Sequence, residues 1–348
     1  MQFFQPRFDF GARIKKLQKK LAAAKADAII IGSGHGVDAN AYYYCGDTAF
    51  PSFLIATRGG CAVYSTQPPE QFSSFADSRP LSKFKTDFKK LLSSKNAKTI
   101  AFDPHAAGAA GLLLELQKKK KAAIAFHRQL REIRLVKDAE EIKCIRFAQK
   151  ISNECLRELH RMAARGQLFG ETENYLAGVM EFRARQMHAS LDSFPPLIQT
   201  GARASVFHEA TSNAVARENE VLLADIGAKY CGYCGDATTT IYGGKDKQTK
   251  DALEAVWEAK KAAEKKARAG VFGKTLSQTA LNVLREYGFK KGTFREAGLS
   301  IGHFVGLEVH DGPSLEGQRL GAGMCFTVEP GIYVPKKFGV RFEDVTIL

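Results

Sequence analysis

Apolar residues recur along this chain in two different rhythms. In the first third, short apolar runs alternate with amphipathic stretches. The runs are Ala28-Ile29-Ile30-Ile31, Phe53-Leu54-Ile55-Ala56, Ala62-Val63-Tyr64 and Thr99-Ile100-Ala101-Phe102, with Tyr42-Tyr43-Tyr44 as a further strand candidate. Helical spacing covers Gly11 to Lys25, 83–93 and 107–121. Strands alternating with helices predict a mixed or parallel sheet. The glycines of Ile31-Gly32-Ser33-Gly34-His35-Gly36 fall short of a dinucleotide fingerprint, because no phosphate-cradling helix follows, and they predict a loop. The second rhythm begins after a junction at Arg131 to Asp138. Two long helices are expected over 138–164 and 170–187, each with one apolar face. Pro195-Pro196 then introduces a strand, Leu197-Ile198-Gln199-Thr200. A hairpin over about 220–242, helices over 247–268 and 274–287, and a second hairpin around Lys336 complete the pattern. Helix, helix, hairpin occurs twice, which predicts an α+β domain over 131–348 behind an α/β domain over 1–130.

Both hairpins carry acids in otherwise apolar stretches. Asp225 lies in Val221-Leu222-Leu223-Ala224-Asp225-Ile226, and Asp236 opens Asp236-Ala237-Thr238-Thr239-Thr240-Ile241. A turn centred on Tyr230-Cys231 would set 225 directly opposite 236. Glu329 and Glu343 face each other in the same way around Lys336. Like charges opposed across a ladder repel, and an isolated buried carboxylate is costly unless it pairs, neutralises or binds a cation. With no basic residue opposite either pair, Asp225, Asp236, Glu329 and Glu343, joined by His303, form a candidate cage for two cations.

Composition changes little in this picture. The 348 residues are 45% hydrophobic and 25% charged, ordinary for a folded protein. No apolar run is long enough to span a membrane, and Met1 to Arg7 lacks the order of a signal peptide. Seven cysteines without a regular framework predict reduced thiols in a cytoplasm. The one close pair, Cys231-Gly232-Tyr233-Cys234, falls on the first hairpin's turn and is expected to be two ordinary thiols. The net charge of +14 is concentrated in residues 1–130, with 20 lysines and arginines against 9 acids. No nucleic-acid motif accompanies them, so a solvated surface is expected rather than a nucleic-acid partner.

The acid segments resemble the creatinase/prolidase/methionine aminopeptidase family, whose catalytic domain has the pita-bread fold. The resemblance rests on Leu223 to Ala228, Gly232 to Thr238, Gly302 to Asp311, Val328-Glu329-Pro330-Gly331-Ile332-Tyr333 and Gly339 to Asp344. The front domain and Arg131 to Lys137 look like the two-domain Xaa-Pro peptidase branch. The resemblance implies that Asp225 binds one metal, that His303 and Glu329 bind the other, and that Asp236 and Glu343 bridge them. Four carboxylates and one imidazole suit Mn²⁺ and accept Co²⁺ or Zn²⁺. Glu329 would also accept and donate a proton, with His208 and His310 at the substrate. Arg341 would orient a ligand carboxylate, and Tyr233 would hydrogen-bond near the metals. His35, His105, His127, His160 and His188 are expected to be structural. The implied activity is hydrolysis of the bond before proline in Xaa-Pro dipeptides, by a homodimer. An Xaa-Pro aminopeptidase and a non-catalytic pita-bread binding protein are the competing expectations. The family often has arginine where this chain has Thr239, which puts local hydrogen bonding in question. The chain also stops five residues beyond Glu343, so weaker support for that strand is expected.

Overall fold

The computed structural model describes residues 4–33, 38–46, 52–106 and 108–348. Of the loop expected over Ile31 to Gly36, Gly34, His35 and Gly36 lie outside the described residues, whereas Ile31, Gly32 and Ser33 are strand. The chain divides into one unit of Arg7–Ile133 and a second that joins Met1–Pro6 to Arg134–Leu348.

The Arg7–Ile133 unit contains α1 (Phe10–Ala23), β1 (Ala28–Ser33), α2 (Ala39–Cys45), β2 (Ser52–Thr57), β3 (Cys61–Ser65) and β4 (Asp77–Pro80). It continues through α3 (Phe84–Ser93), β5 (Thr99–Phe102), α4 (Ala109–Lys118) and β6 (Ala122–Ala125), and α5 (His127–Leu135) crosses its end. The six strands form one mixed sheet in the order β4-β3-β2-β1-β5-β6, with β1 antiparallel to β2 and parallel to β5. Ile30, Ile55, Ile100, Leu92 and Leu116 meet in its core. Tyr42-Tyr43-Tyr44 is helical, not a strand. Asp38 caps the segment by accepting from Ala41 N–H at 2.8 Å, and Gly46 ends it at φ 67°. An N-cap acid and a left-handed glycine outweigh aromatic strand propensity here.

The second unit holds α6 (Ala139–Ala164), α7 (Glu173–Gln186), β7 (Leu191–Thr200), β8 (Leu222–Tyr230), β9 (Tyr233–Cys234), β10 (Ala237–Ile241), α8 (Lys247–Lys266) and α9 (Gly273–Glu286). The closing strands are β11 (Cys325–Val328), β12 (Gly331–Val334), β13 (Phe338–Arg341) and β14 (Asp344–Ile347). α6 starts on a capping box in which Asp138 and Glu141 satisfy each other's backbone N–H groups. β7 begins before Pro195-Pro196 and absorbs both prolines, which lack a donor, through register shifts between Phe194 and Leu197. A core of Val256, Leu276, Phe294, Phe304, Phe326 and Ile332 lies between helices and strands. Phe4 joins this unit through Tyr230, whose hydroxyl donates to the Phe4 carbonyl at 2.5 Å and accepts from Phe4 N–H at 3.2 Å.

Candidate metal centre

The first hairpin turns one residue later than expected. Tyr230 pairs with Tyr233, and Cys231 and Gly232 occupy the turn at φ 46° and 82°. Two successive positive φ values are what a tight hairpin's right-handed twist needs, and Gly232 supplies one at little cost. The shift sets Asp225 opposite Thr238, not Asp236. Asp236 lies in the break between β9 and β10, diagonal to Asp225. The second hairpin keeps the expected register. β12 pairs with β13 as Gly331 to Arg341, and β11 pairs with β14 as Val328 to Asp344. Glu329 and Glu343 occupy the gap between these ladders, opposite each other. Glu343 is not weakly supported: it exchanges backbone bonds with Thr238, and β14 is fully paired behind it.

His303 arrives on an extended segment beside β11. Its N–H donates to Thr327 Oγ1 at 3.0 Å, and Thr327 N–H donates to its carbonyl at 2.8 Å. A Cβ on Gly302 would stand 2.1 Å from the Thr327 carbonyl, so only glycine permits this approach. His303 Nε2 lies 3.4 Å from Asp236 Oδ2 and 3.6 Å from Glu329 Oε1. Donor atoms of Asp236, His303 and Glu343 all fall within 4.8 Å of one another.

Burial shapes the charge of this cluster. It pushes Asp236 and Glu343 well above the usual carboxylate range, and neighbouring acids push in the same direction. Burial also raises Glu329, against the pull of His303 and Arg341. Asp225 is held by Arg341, whose Nη2 donates to Asp225 Oδ2 at 2.6 Å. Its other oxygen, Oδ1, is buried without a hydrogen-bond partner. An orphaned carboxylate oxygen beside three acids that resist ionisation is a donor set short of positive charge. These residues therefore fit divalent cations.

Arg341 is 1% exposed and uses its whole fork. Besides Asp225 it donates to Thr238 Oγ1 and to Tyr333 Oη, each at 3.1 Å. Thr238 Oγ1 in turn donates to Glu343 Oε2 at 2.6 Å, and Thr327 Oγ1 donates to Glu329 Oε1 at 3.2 Å. Sequence reasoning missed Thr238, Thr327 and Tyr333, although Thr238 and Tyr333 close the quoted Gly232 to Thr238 and Val328 to Tyr333 segments. Tyr233, expected beside the metals, instead sends its hydroxyl to Glu141 Oε1 at 3.0 Å on the first turn of α6. It is not among the residues that line the cavity described below. Thr239 Oγ1 is hydrogen-bonded with His160 Nε2 at 3.0 Å.

The acids form one wall of a cavity of about 590 Å³, otherwise walled by Phe194, Leu197, Phe207 and Leu299 and reached by His208 and His310. The His310 ring stands 4.0 Å from that of His303. His208 adopts φ 58° and stacks on Phe207 at 3.8 Å. Gln199 Nε2 holds this loop on both sides, donating to the carbonyls of Val206 and Glu209 at 2.9 Å. Burial lowers the His208 pKa, and the Arg341 charge adds to the effect. Among the described residues no helix is long and apolar enough to cross a membrane, and all seven cysteines are free thiols.

Comparison with known proteins agrees with this geometry. A model for the creatinase/prolidase N-terminal domain matches residues 13–136, and one for metallopeptidase family M24 matches residues 143–348. An Xaa-Pro dipeptidase of Pyrococcus horikoshii is 30% identical, over 97% of this chain and 94% of the relative. The prolidase structure from that organism superposes with a TM-score of 0.83 at 28% identity, covering 97% of this chain and 95% of the other. An X-Pro aminopeptidase structure from Thermotoga maritima does so with a TM-score of 0.81, also at 28% identity, over 96% and 94%. From front domain to acid-lined cavity, this chain belongs to metallopeptidase family M24, with a creatinase/prolidase-type domain preceding a pita-bread catalytic domain.

Proposed function

We propose that the chain is an Xaa-Pro dipeptidase using two divalent cations, with Mn²⁺ preferred. The observation that carries this is the convergence of four carboxylates and one imidazole on a cavity whose Asp225 Oδ1 has no partner. Hard, oxygen-rich donors favour Mn²⁺, and Co²⁺ or Zn²⁺ would be tolerated. The substrate class comes from full-length relatives described as Xaa-Pro dipeptidases. Asp225 would serve one ion, His303 and Glu329 the other, and Asp236 and Glu343 both.

Bound there, the ions would polarise the scissile carbonyl and acidify a water. The residues do the rest. Glu329 takes a proton from a water as its oxygen bonds to the scissile carbonyl carbon, and delivers that proton to the prolyl nitrogen as the C–N bond breaks, leaving a carboxylate and free proline. His208, whose pKa burial lowers, and His310 orient the carbonyl and the departing nitrogen. The apolar walls receive the pyrrolidine ring and exclude bulk water. Arg341 keeps Asp225 fixed through the contact of its Nη2 with Asp225 Oδ2 at 2.6 Å.

Asp236→Ala is expected to abolish metal-dependent cleavage, and normal turnover at full metal content would defeat the assignment. Gly-Pro should be cleaved in preference to a tripeptide with proline second. The reverse preference would favour an aminopeptidase, the activity named for the Thermotoga structure. A purified protein that retains no metal and gains no activity with Mn²⁺ would favour a binding protein. A homodimer in the cytoplasm completes the proposal, and sedimentation of the intact chain tests the assembly.

A further inference from the structure

Asp236 stands where the first hairpin comes apart. β9 ends at Cys234 and β10 begins at Ala237, and both backbone groups of Asp236 turn to one side chain on α6. Asp236 N–H donates to Gln149 Oε1 at 2.8 Å, and Gln149 Nε2 donates to the Asp236 carbonyl at 2.8 Å. The same nitrogen donates to Asp344 Oδ1 at 2.9 Å. The amide orientation follows from its partners, since a backbone N–H can only donate and a carbonyl can only accept. Strand and helix touch here: a Cβ on Gly235 would meet the Ala148 backbone at 2.6 Å.

Asp344 is the chain neighbour of Glu343. It is anchored on the helix side, with Asn153 Nδ2 donating to it at 3.0 Å and Lys260 Nζ at 3.4 Å. Successive strand residues point to opposite faces. Fixing Asp344 outward therefore aims Glu343 into the cavity, as fixing the Asp236 main chain aims its carboxylate. Gln149 is 8% exposed and lies outside the cavity lining.

We propose that Gln149 is a positioning residue for the metal centre, one amide that sets the separation of Asp236 and Glu343 from behind. This rests on the assignment of those acids as shared metal ligands. Both acids must reach the same two ions, so their spacing is the dimension to which binding is most sensitive.

Gln149→Met tests it, because it keeps side-chain length and removes every hydrogen bond of the amide, including a longer one to Asn153 Oδ1 at 3.4 Å. Ser152→Ala is the control. Ser152 lies on the same buried helix face, and its Oγ accepts from Ala228 N–H at 2.9 Å, a bond that reaches neither acid. Metal-free protein is titrated with Mn²⁺ alone, reading bound metal directly, and urea unfolding of the metal-free forms is measured in parallel. Both variants should lose stability. Only Gln149→Met should lose Mn²⁺ affinity, by about 10- to 100-fold, with the KM for Gly-Pro unchanged at saturating Mn²⁺. A wild-type Mn²⁺ isotherm in Gln149→Met, or an equal loss in Ser152→Ala, overturns the proposal. If Gln149→Met does not fold, Gln149→Asn, whose amide is one methylene shorter, is titrated instead, and a wild-type isotherm there is equally fatal. Wild-type protein that takes up no Mn²⁺ would refute the metal assignment itself, a separate result.

Discussion

Arg341 is the residue whose geometry does most for the site. Its guanidinium reaches Asp225, Thr238 and Tyr333 at once, which a single ammonium cannot. Arg341→Lys preserves the charge but not the fork. The variant is expected to fold and to bind metal about 10- to 100-fold more weakly. Metal titration checks this, and wild-type affinity would show that charge alone suffices. The acids proposed here as ligands stood out in the sequence because an acid in an apolar strand contradicts its surroundings. Thr238, Thr327 and Gln149 were not, since a hydroxyl or an amide contradicts nothing locally. Their partners declare themselves only in three dimensions, as Thr238 does by meeting Glu343 across 105 positions of chain.

Among the elements, long helices and the second hairpin were readable because periodicity and turn position agreed. The first hairpin was misplaced by one residue, because the strand pattern on either side sets neither Tyr230-Cys231 nor Cys231-Gly232 as the turn. Only the left-handed conformations at 231 and 232 decide between them. Tyr42 to Tyr44 shows the opposite failure, a local propensity overruled by caps at both ends. The front sheet has its own device at Asp27. Oδ2 of Asp27 accepts from the N–H groups of Lys98 and Thr99, at 2.8 and 2.9 Å, tying the start of β1 to β5. The Thr99 backbone bond and then that of Lys98, with the Arg58 charge, hold its pKa below the ordinary range. A depressed carboxylate contributes stability above its unfolded pKa and loses it as pH falls through the folded value. Asp27→Asn should therefore lower the urea midpoint at neutral pH, and the difference should close in strong acid. A gap that persists at low pH would mean that the charge is not responsible.

For the whole molecule, metal supply and stability should be linked. Ions that bind only the folded state add about 2.7 kcal/mol per site at a hundredfold excess over Kd. Chelation should thus lower the thermal midpoint as well as abolish turnover, and Mn²⁺ should restore both. A midpoint indifferent to chelator would remove metal from the account of this fold. The two-part organisation was visible in the sequence as a change of rhythm near Arg131.

What the rhythm hid is that the division is not a single cut. Phe4 gives both backbone groups to the Tyr230 hydroxyl and sets its ring 5.3 Å from that of Tyr230, at the tip of the hairpin that bears Asp225 and Asp236. The peptidase half is thus a discontinuous stretch of gene, laced shut by residues translated before the other half exists. Expressing Arg134–Leu348 alone would omit that lace, and a protease trimming the chain as far as Pro6 would remove it without touching an acid.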